Sequence, residues 1–97
     1  MEPEKNPDEF YNKLRAQLEE TSTWPSLYLY KFIVITSKTK IKQIHDIFDN
    51  MGAVINTKQS KNGKYTSVSI NVRMKNPDAV IAKYIQVGDE IEGVISL

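Results

Sequence analysis

The side chains that most often perform chemistry are sparse in this chain. Its 97 residues include one histidine and no cysteine, which excludes thiol nucleophiles, thiolate zinc sites and disulfides. The histidine, His45, precedes Asp46 and stands four residues before Asp49. One imidazole and two carboxylates on adjacent faces of a helix do not converge on an ion. We therefore expect no metal site and interpret His45 as a boundary residue of a helix.

A cluster of lysines stands where a second predicted helix begins, at Lys38, Lys40 and Lys42. The positive end of a helix dipole disfavours each cation there by about 0.3–1 kcal/mol. Two interpretations are open: the ammonium groups and the helix N-terminus hold an anion such as a phosphate or carboxylate, or the lysines are solvated and contribute solubility. We interpret a third charged cluster as a solvated turn rather than a catalytic pair: Asp89, Glu90 and Glu92.

Hydrophobic periodicity predicts three helices and four strands to position these groups. Apolar residues at three- and four-residue spacing predict helices over 7–20, 38–51 and 77–88. Runs rich in β-branched and aromatic residues predict strands over 28–36, 53–60, 65–74 and 91–97. In the first of these strands both faces are apolar apart from Lys31, as expected for a strand covered on both sides.

Capping and turn residues support these boundaries. Asn6, Ser37 and Asn76 precede the three helices, where each side chain can accept a hydrogen bond from a free backbone N–H. Asn62 and Gly63 separate the second and third strands, and this dipeptide is a strong hairpin signal. The segment 21–26 between the first helix and the first strand, which contains Trp24 and Pro25, is a linker.

The order of elements after the linker predicts an α+β fold, a ferredoxin-like βαββαβ sandwich with one four-stranded antiparallel sheet. We assign 1–23 to the added N-terminal helix and its linker, and 24–97 to this domain. Right-handed crossovers place both helices of the domain on the same side of the sheet. The other side of the sheet is then uncovered, with the first and third strands at its centre.

The uncovered side of the sheet is the predicted binding surface. Its apolar contact area is expected from three residues of the first strand: Leu29, Ile33 and Ile35. Its polar groups are expected from one cation and three hydrogen-bonding side chains: Lys31, Tyr65, Ser67 and Asn71. An apolar strip of this kind needs a cover, and the candidates are the N-terminal helix and a second copy of the sheet, which would form a homodimer.

The charge and hydropathy of the chain disfavour nucleic acids and membranes as partners. Its formal net charge is +1. RNA-recognition motifs share the predicted topology and stack bases on aromatic residues of the third and first strands. Here Tyr65 can take one such position, but the second falls on Ser67. The first residues do not resemble a signal peptide and no apolar run approaches 18 residues, so we predict a cytoplasmic protein.

Two motifs resemble a known family. The predicted hairpin reads S-x-x-G-x-Y-x-S-V-S from Ser60 to Ser69, and P-x-x-x-x-Y-K spans Pro25 to Lys31. Together they resemble the YbeD-like family of small bacterial proteins of unknown function, over about residues 24–97. The resemblance implies a ferredoxin-like fold related to ACT regulatory domains, which commonly bind amino acids or other small effectors. The loop 36–39 lacks the acid and glycine often found in amino-acid-binding ACT domains, and the helix 7–20 is an addition.

These observations predict a non-enzymatic regulatory or adaptor module that binds a small effector or a protein partner and uses no cofactor. The alternative is a structural interaction protein that forms a homodimer through the sheet and binds no small ligand. An enzyme would have to rely on hydroxyl, lysine and carboxylate groups alone.

Overall fold

A computed structural model describes residues 7–97 and has three helices and four strands. In chain order these are α1 (Pro7–Thr21), β1 (Ser26–Ile35), α2 (Lys38–Ile47), β2 (Val54–Gln59), β3 (Tyr65–Met74), α3 (Pro77–Glu90) and β4 (Ile95–Ser96). The predicted α+β fold class is therefore confirmed. None of the helices in the described range is both long and apolar enough to cross a membrane.

The four strands form one antiparallel sheet in the order β2-β3-β1-β4. This is the predicted ferredoxin-like arrangement, with the first and third strands at the centre. β1 and β3 pair along their whole length, from Ser26 opposite Met74 to Ile35 opposite Tyr65. By contrast, β4 pairs with β1 only at Phe32 and Ile33.

The predicted caps are present wherever the structure describes them. Ser37 begins α2 by accepting a hydrogen bond from the N–H of Lys40, at 3.2 Å. Asn76 begins α3 by accepting one from the N–H of Ala79, at 2.8 Å. The third predicted cap, Asn6, lies outside the described residues, and α1 begins at Pro7 as predicted.

Helix ends differ from the predicted boundaries. The predicted helix 38–51 ends at Ile47, because the N–H of Phe48 bonds back to the carbonyl of His45 and the chain then turns through Asn50 and Gly52, both at positive φ. Conversely, α3 does not stop at Gly88 as predicted but continues to Glu90. Positive φ is found at three other glycines of the described chain but not at this one, so it does not break the helix.

The last strand is shorter than the predicted 91–97. Ile91 caps α3 and is almost fully buried in the core instead of joining the sheet. Gly93 then turns the chain at a φ of 76°, and only Ile95–Ser96 forms β4. The first strand begins at Ser26, two residues before its predicted start.

The hydrophobic core lies between the helices and one face of the sheet. Its centre is aromatic: Tyr30 and Phe32 of β1 contact Phe48 and Tyr84, with ring centroids 4.9–6.5 Å apart. The alternate residues of β3 from Thr66 to Met74 complete this covered face.

The added helix α1 lies on this helical side of the sheet. Leu18 is part of the core, and the indole N–H of Trp24 donates to the Leu18 carbonyl at 3.1 Å. The guanidinium of Arg15 donates to Asp78 of α3, which joins the two helices. The possibility that α1 covers the bare side of the sheet is therefore wrong, since its apolar stripe is used against α3 and the core.

Candidate functional site

The side of the sheet opposite the helices, here called the open face, holds most of the large apolar side chains that the described residues expose. Nine large apolar residues in 7–97 are exposed. Strand alternation and pairing place six of them on the open face: Leu27, Leu29, Ile35, Val54, Tyr65 and Ile95. The prediction of a strand covered on both sides is thus wrong for β1, whose open-face residues Leu29 and Ile35 are more than half exposed.

The strand register arranges the open face in rows that cross the sheet. One row joins Lys58, Ser67, Ile33 and Ile95. Side chains that lie directly opposite in neighbouring strands have Cβ atoms about 4.5–5.5 Å apart. The row therefore presents a cation, a hydroxyl and two isoleucines in sequence from the β2 edge to the β4 edge.

The charges of the open face have one sign. Lys31, Lys58 and Arg73 occupy outward positions of β1, β2 and β3 and are exposed. Every other open-face residue of the four strands is apolar, a hydroxyl residue or an asparagine, so the strands contribute no carboxylate. The face combines apolar contact area with positive charge.

The four residues predicted to bind a ligand or partner all lie on the open face, but they do not surround one point. Tyr65 and Ser67 line a shallow hollow of about 220 Å³ together with Ile33. Lys31 lies in the next row, opposite Ser69. Asn71 is six residues from Tyr65 along β3, roughly 20 Å away. This spread suits an extended contact better than one small effector.

The hairpin that carries the family-like motif is held by its own polar residues. The Ser60 hydroxyl accepts from the N–H of Tyr65 at 3.0 Å and donates to Oδ1 of Asn62 at 3.1 Å. Oδ1 of Asn62 also accepts from the N–H of Lys64 at 3.0 Å. Gly63 has a φ of 76°, which a residue without Cβ adopts at little cost. Ser60 and Gly63 thus shape the turn that positions Tyr65 on the open face.

The three lysines of the predicted anion site have different surroundings. Lys40 donates to the carbonyl of Glu92 at 2.9 Å, which ties α2 to the turn before β4. Lys42 forms an exposed ion pair with Asp46 at 3.0 Å. Lys38 is exposed at the first position of the helix. Two of the three ammonium groups therefore have a structural partner, and the anion site stays a prediction.

His45 and its acidic neighbours lie on the exposed side of α2 and the following turn. His45, Asp46 and Asp49 line a polar hollow of about 330 Å³. Within residues 7–97, no group of three or more His, Cys, Asp or Glu side chains is arranged to hold a metal ion. The acids Asp89 and Glu90 are the last two residues of α3, not part of the predicted turn, but they are exposed as expected.

Ionisable groups with shifted pKa values lie on the covered face. The Tyr30 hydroxyl donates to the Val80 carbonyl at 2.9 Å, and burial raises the pKa of Tyr30, with a smaller contribution from Tyr28. The hydroxyls of Tyr28 and Tyr84 are 2.8 Å apart. Burial, followed by this hydrogen bond, raises the pKa of Tyr84. Both tyrosines are therefore neutral hydrogen-bonding groups at any physiological pH.

A comparison with protein families decides the resemblance that the motifs indicated. The family of proteins of unknown function called DUF493, which is the YbeD-like family, matches residues 19–95. The chain belongs to this family. No curated protein and no solved structure shows a significant match to the chain.

The DUF493 match covers α2, α3 and the whole sheet except Ser96, the last residue of β4, but only the last three residues of α1. The open face is therefore built entirely within the DUF493 segment. The open-face residues that sequence reasoning missed include Leu27, Val54, Lys58 and Ile95. Leu27 lies one residue before the predicted start of the first strand, and the other three stand in the edge strands, where the alternation of apolar and polar residues is too weak to show which side chains point outward. Extending the strand register outward from β3 would have found Val54 and Lys58.

Proposed function

We propose that the chain is a non-enzymatic adaptor module of the cytoplasm, whose open face binds an acidic and partly apolar surface of a protein partner. The observation that supports this proposal is the composition of the open face. It exposes six large apolar side chains and three cations, and its strands provide no carboxylate.

The dimensions of the open face favour a protein over a small effector. The central strands have ten residues each, which corresponds to roughly 33 Å, and four strands are roughly 15–20 Å wide. A standard protein interface uses about 800 Å² of each partner, so the open face could form the larger part of such an interface, whereas a small effector would cover only a fraction of it. The hollow at Tyr65 and Ser67 on this surface is shallow, and its volume of about 220 Å³ is smaller than the usual 300–1,000 Å³ of a ligand pocket.

The charge of the open face favours an acidic partner over a second copy of the chain. Packing two such faces together would put Lys31, Lys58 and Arg73 of both copies into one interface, with no carboxylate from the strands to compensate. Like charges at an interface cost free energy and suppress the wrong partner. An acidic partner would instead be attracted, and its association would weaken as salt screens the charges.

The test compares charge reversal on and off the open face. Tagged full-length chain, Lys31→Glu and the control Lys38→Glu are each used for affinity capture from the native cytoplasm, followed by titration of the purified partner at two salt concentrations. Lys38 is a suitable control because it too is exposed and a glutamate at the first turn of α2 is favourable for the helix dipole. We expect one stoichiometric protein that binds wild type and Lys38→Glu and is lost with Lys31→Glu.

Three results would contradict the proposal. A partner that binds Lys31→Glu as tightly as wild type does not use the open face, and one whose affinity is independent of salt is not held by its charge. A dimer in light scattering that becomes monomeric in Ile33→Lys would replace the adaptor by the alternative, a homodimerising structural protein. Circular dichroism of each variant confirms that it is folded before the results are compared.

A further inference from the structure

The two strands at the centre of the sheet are not equally paired. β3 is paired on both sides over most of its length, from Thr66 to Asn71 on the β2 side. β1 pairs with β3 over all ten residues, but on its other side β4 reaches only Phe32 and Ile33. One further hydrogen bond, from the N–H of Leu97 to the Lys31 carbonyl at 2.9 Å, ends the contact. Within residues 7–97, the segment 26–30 of β1 has no strand beside it on this edge.

The free edge presents backbone groups in the pattern that a strand requires. The Lys31 carbonyl faces β4. Since the backbone N–H and C=O groups of every second residue point to the same side of a strand, the backbone groups of Leu29 and Leu27 also face this edge. The only contact described for them is a marginal one, from the Ser26 hydroxyl to the Leu27 carbonyl at 3.5 Å. The side chains of Leu27 and Leu29 are 68% and 54% exposed. Unused donors and acceptors of this kind are a template for pairing with another chain.

An aromatic cleft lies directly beside this free edge, on the covered side of the sheet. Its volume is about 260 Å³, and it is lined by α1, β1, α3 and the end of β4: Phe10, Tyr11, Leu14, Tyr28, Tyr84, Ser96 and Leu97. Tyr28 belongs to the unpaired half of β1. A strand added along β1 would direct the residue opposite Tyr28 to the covered side, and so into this cleft. The cleft is smaller than a typical drug-sized pocket and suits one large side chain.

The open-face side of the same edge supplies a charge. A residue opposite Leu29 in an added strand would lie on the open face, diagonal to Lys31, within reach of a long side chain. Lys31 is exposed, and the strands place no carboxylate near it. An acidic residue is therefore the complementary neighbour at this position.

From these observations we propose that the free edge of β1 binds an extended peptide segment of a partner by strand addition. The segment places one large apolar side chain in the aromatic cleft and an adjacent acidic residue beside Lys31. Backbone hydrogen bonds to Leu27 and Leu29 supply affinity, and the cleft supplies specificity, as in other cases of strand addition. This proposal concerns the edge of the sheet and shares only Lys31 with the proposal for the open face, and the backbone amides of Leu27 and Leu29 distinguish the two.

The test uses a phage-displayed library of random linear nonapeptides, selected on the folded full-length chain, followed by fluorescence anisotropy with a synthetic copy of the enriched peptide. We expect a large apolar residue directly next to an acidic one in the enriched sequences. Leu29→Pro should weaken binding at least ten-fold, because it removes an outward N–H without removing a hydrogen bond to β3. Leu29→Val keeps that N–H and is the matched control.

The cleft is tested by a second pair of variants. Phe10→Glu places a charge at the aromatic cleft and should also weaken binding at least ten-fold. Ile85→Glu is its control, because Ile85 is an exposed apolar residue of α3 that does not line the cleft. N-methylation of alternate amides of the synthetic peptide removes the peptide's own N–H donors to the free edge of β1. This measurement uses the wild-type chain, so it does not depend on the fold of any variant.

Amide hydrogen exchange locates the bound peptide. Binding should slow exchange at Leu27 and Leu29. The proposal is overturned if no peptide is enriched, if Leu29→Pro and the N-methylated peptide bind as the unmodified pair does, or if the slowed amides lie in the opposite edge strand, Val54–Gln59. Loss of binding in Lys31→Glu alone, with both leucine amides unchanged, would assign the peptide to the open face and also reject strand addition.

Discussion

The two faces of the sheet are built from alternating residues of the same strands, yet one face is buried and the other is exposed to solvent. In β1 the residues Tyr30, Phe32 and Val34 are at most 1% exposed, whereas Leu29 and Ile35 are more than half exposed. Side-chain polarity does not explain the difference, because β1 is apolar on both faces. The helices decide it: all three pack on the same face. An apolar strand pattern therefore identifies residues that can be buried. Which of them are buried depends on the face of the sheet against which the helices pack.

Truncation of matched apolar residues on the two faces tests this comparison with the largest expected effect. Phe32→Ala should reduce the free energy of unfolding by about 3–5 kcal/mol, because it leaves a cavity among buried aromatic rings. Leu29→Ala should cost less than about 1 kcal/mol, because its side chain is already in water. Urea denaturation at two protein concentrations measures both. Equal losses would show that the open face is covered in solution.

The end of the chain offers a second pair of apolar residues for comparison, in which the buried residue lies outside the sheet and the strand residue is exposed. Ile91 is buried at the end of α3, whereas Ile95 belongs to β4 and is exposed. Ile91→Ala should destabilise the protein by about 2–5 kcal/mol, and Ile95→Ala by no more than about 0.5 kcal/mol. Thermal unfolding of the two variants makes the measurement. A larger loss in Ile95→Ala would mean that β4 contributes more packing than its two residues indicate.

The second pair also shows what could be predicted from the sequence. Caps, turn residues and periodicity predicted the order of elements, the topology and β3 to the residue, because these signals are local. The final strand 91–97 was wrong because an apolar run does not distinguish a strand from a buried helix end. The sequence also could not show whether α1 covers the open face. The stripe of α1 fits any apolar surface, and only packing places Leu18 in the core beside α3.

For the candidate site, the sequence predicted individual residues of the open face but not its extent. Leu29, Lys31 and Tyr65 were found from the alternation of long central strands. The free edge of β1 was not predicted, because it results from the shortness of β4, and that follows from the burial of Ile91 and the turn at Gly93. A binding edge that is defined by an absent neighbour leaves no motif in the strand itself.

Removal of single hydroxyls compares the two faces again, with smaller expected losses in the free energy of unfolding. Tyr30→Phe should cost about 0.5–1.5 kcal/mol, since it removes the buried hydrogen bond to the Val80 carbonyl. Tyr65→Phe on the open face should change stability by no more than about 0.5 kcal/mol. Chemical denaturation measures both free energies. If the two substitutions cost the same, the hydrogen bond of Tyr30 adds nothing to the stability of the core.

The smallest effect is expected from alkaline pH, and it again separates the covered face from solvent. Because burial raises the pKa values of Tyr30 and Tyr84, the unfolded chain loses these protons near its ordinary tyrosine pKa of about 10 while the folded chain keeps them. Their full contribution to stability is thus present below that pH and is lost progressively above it. The reduction at pH 10 should be less than about 1 kcal/mol.

Absorbance of phenolate during the same titration identifies the residues that cause this effect. Tyr30 and Tyr84 should remain protonated until the protein unfolds, so the absorbance should rise again at the unfolding transition itself. In Tyr30→Phe the amplitude of this last step should fall by half, because one of the two protected phenols is absent. Unchanged amplitude would show that Tyr30 is open to solvent, and the separation between covered and open faces would then fail at its aromatic centre.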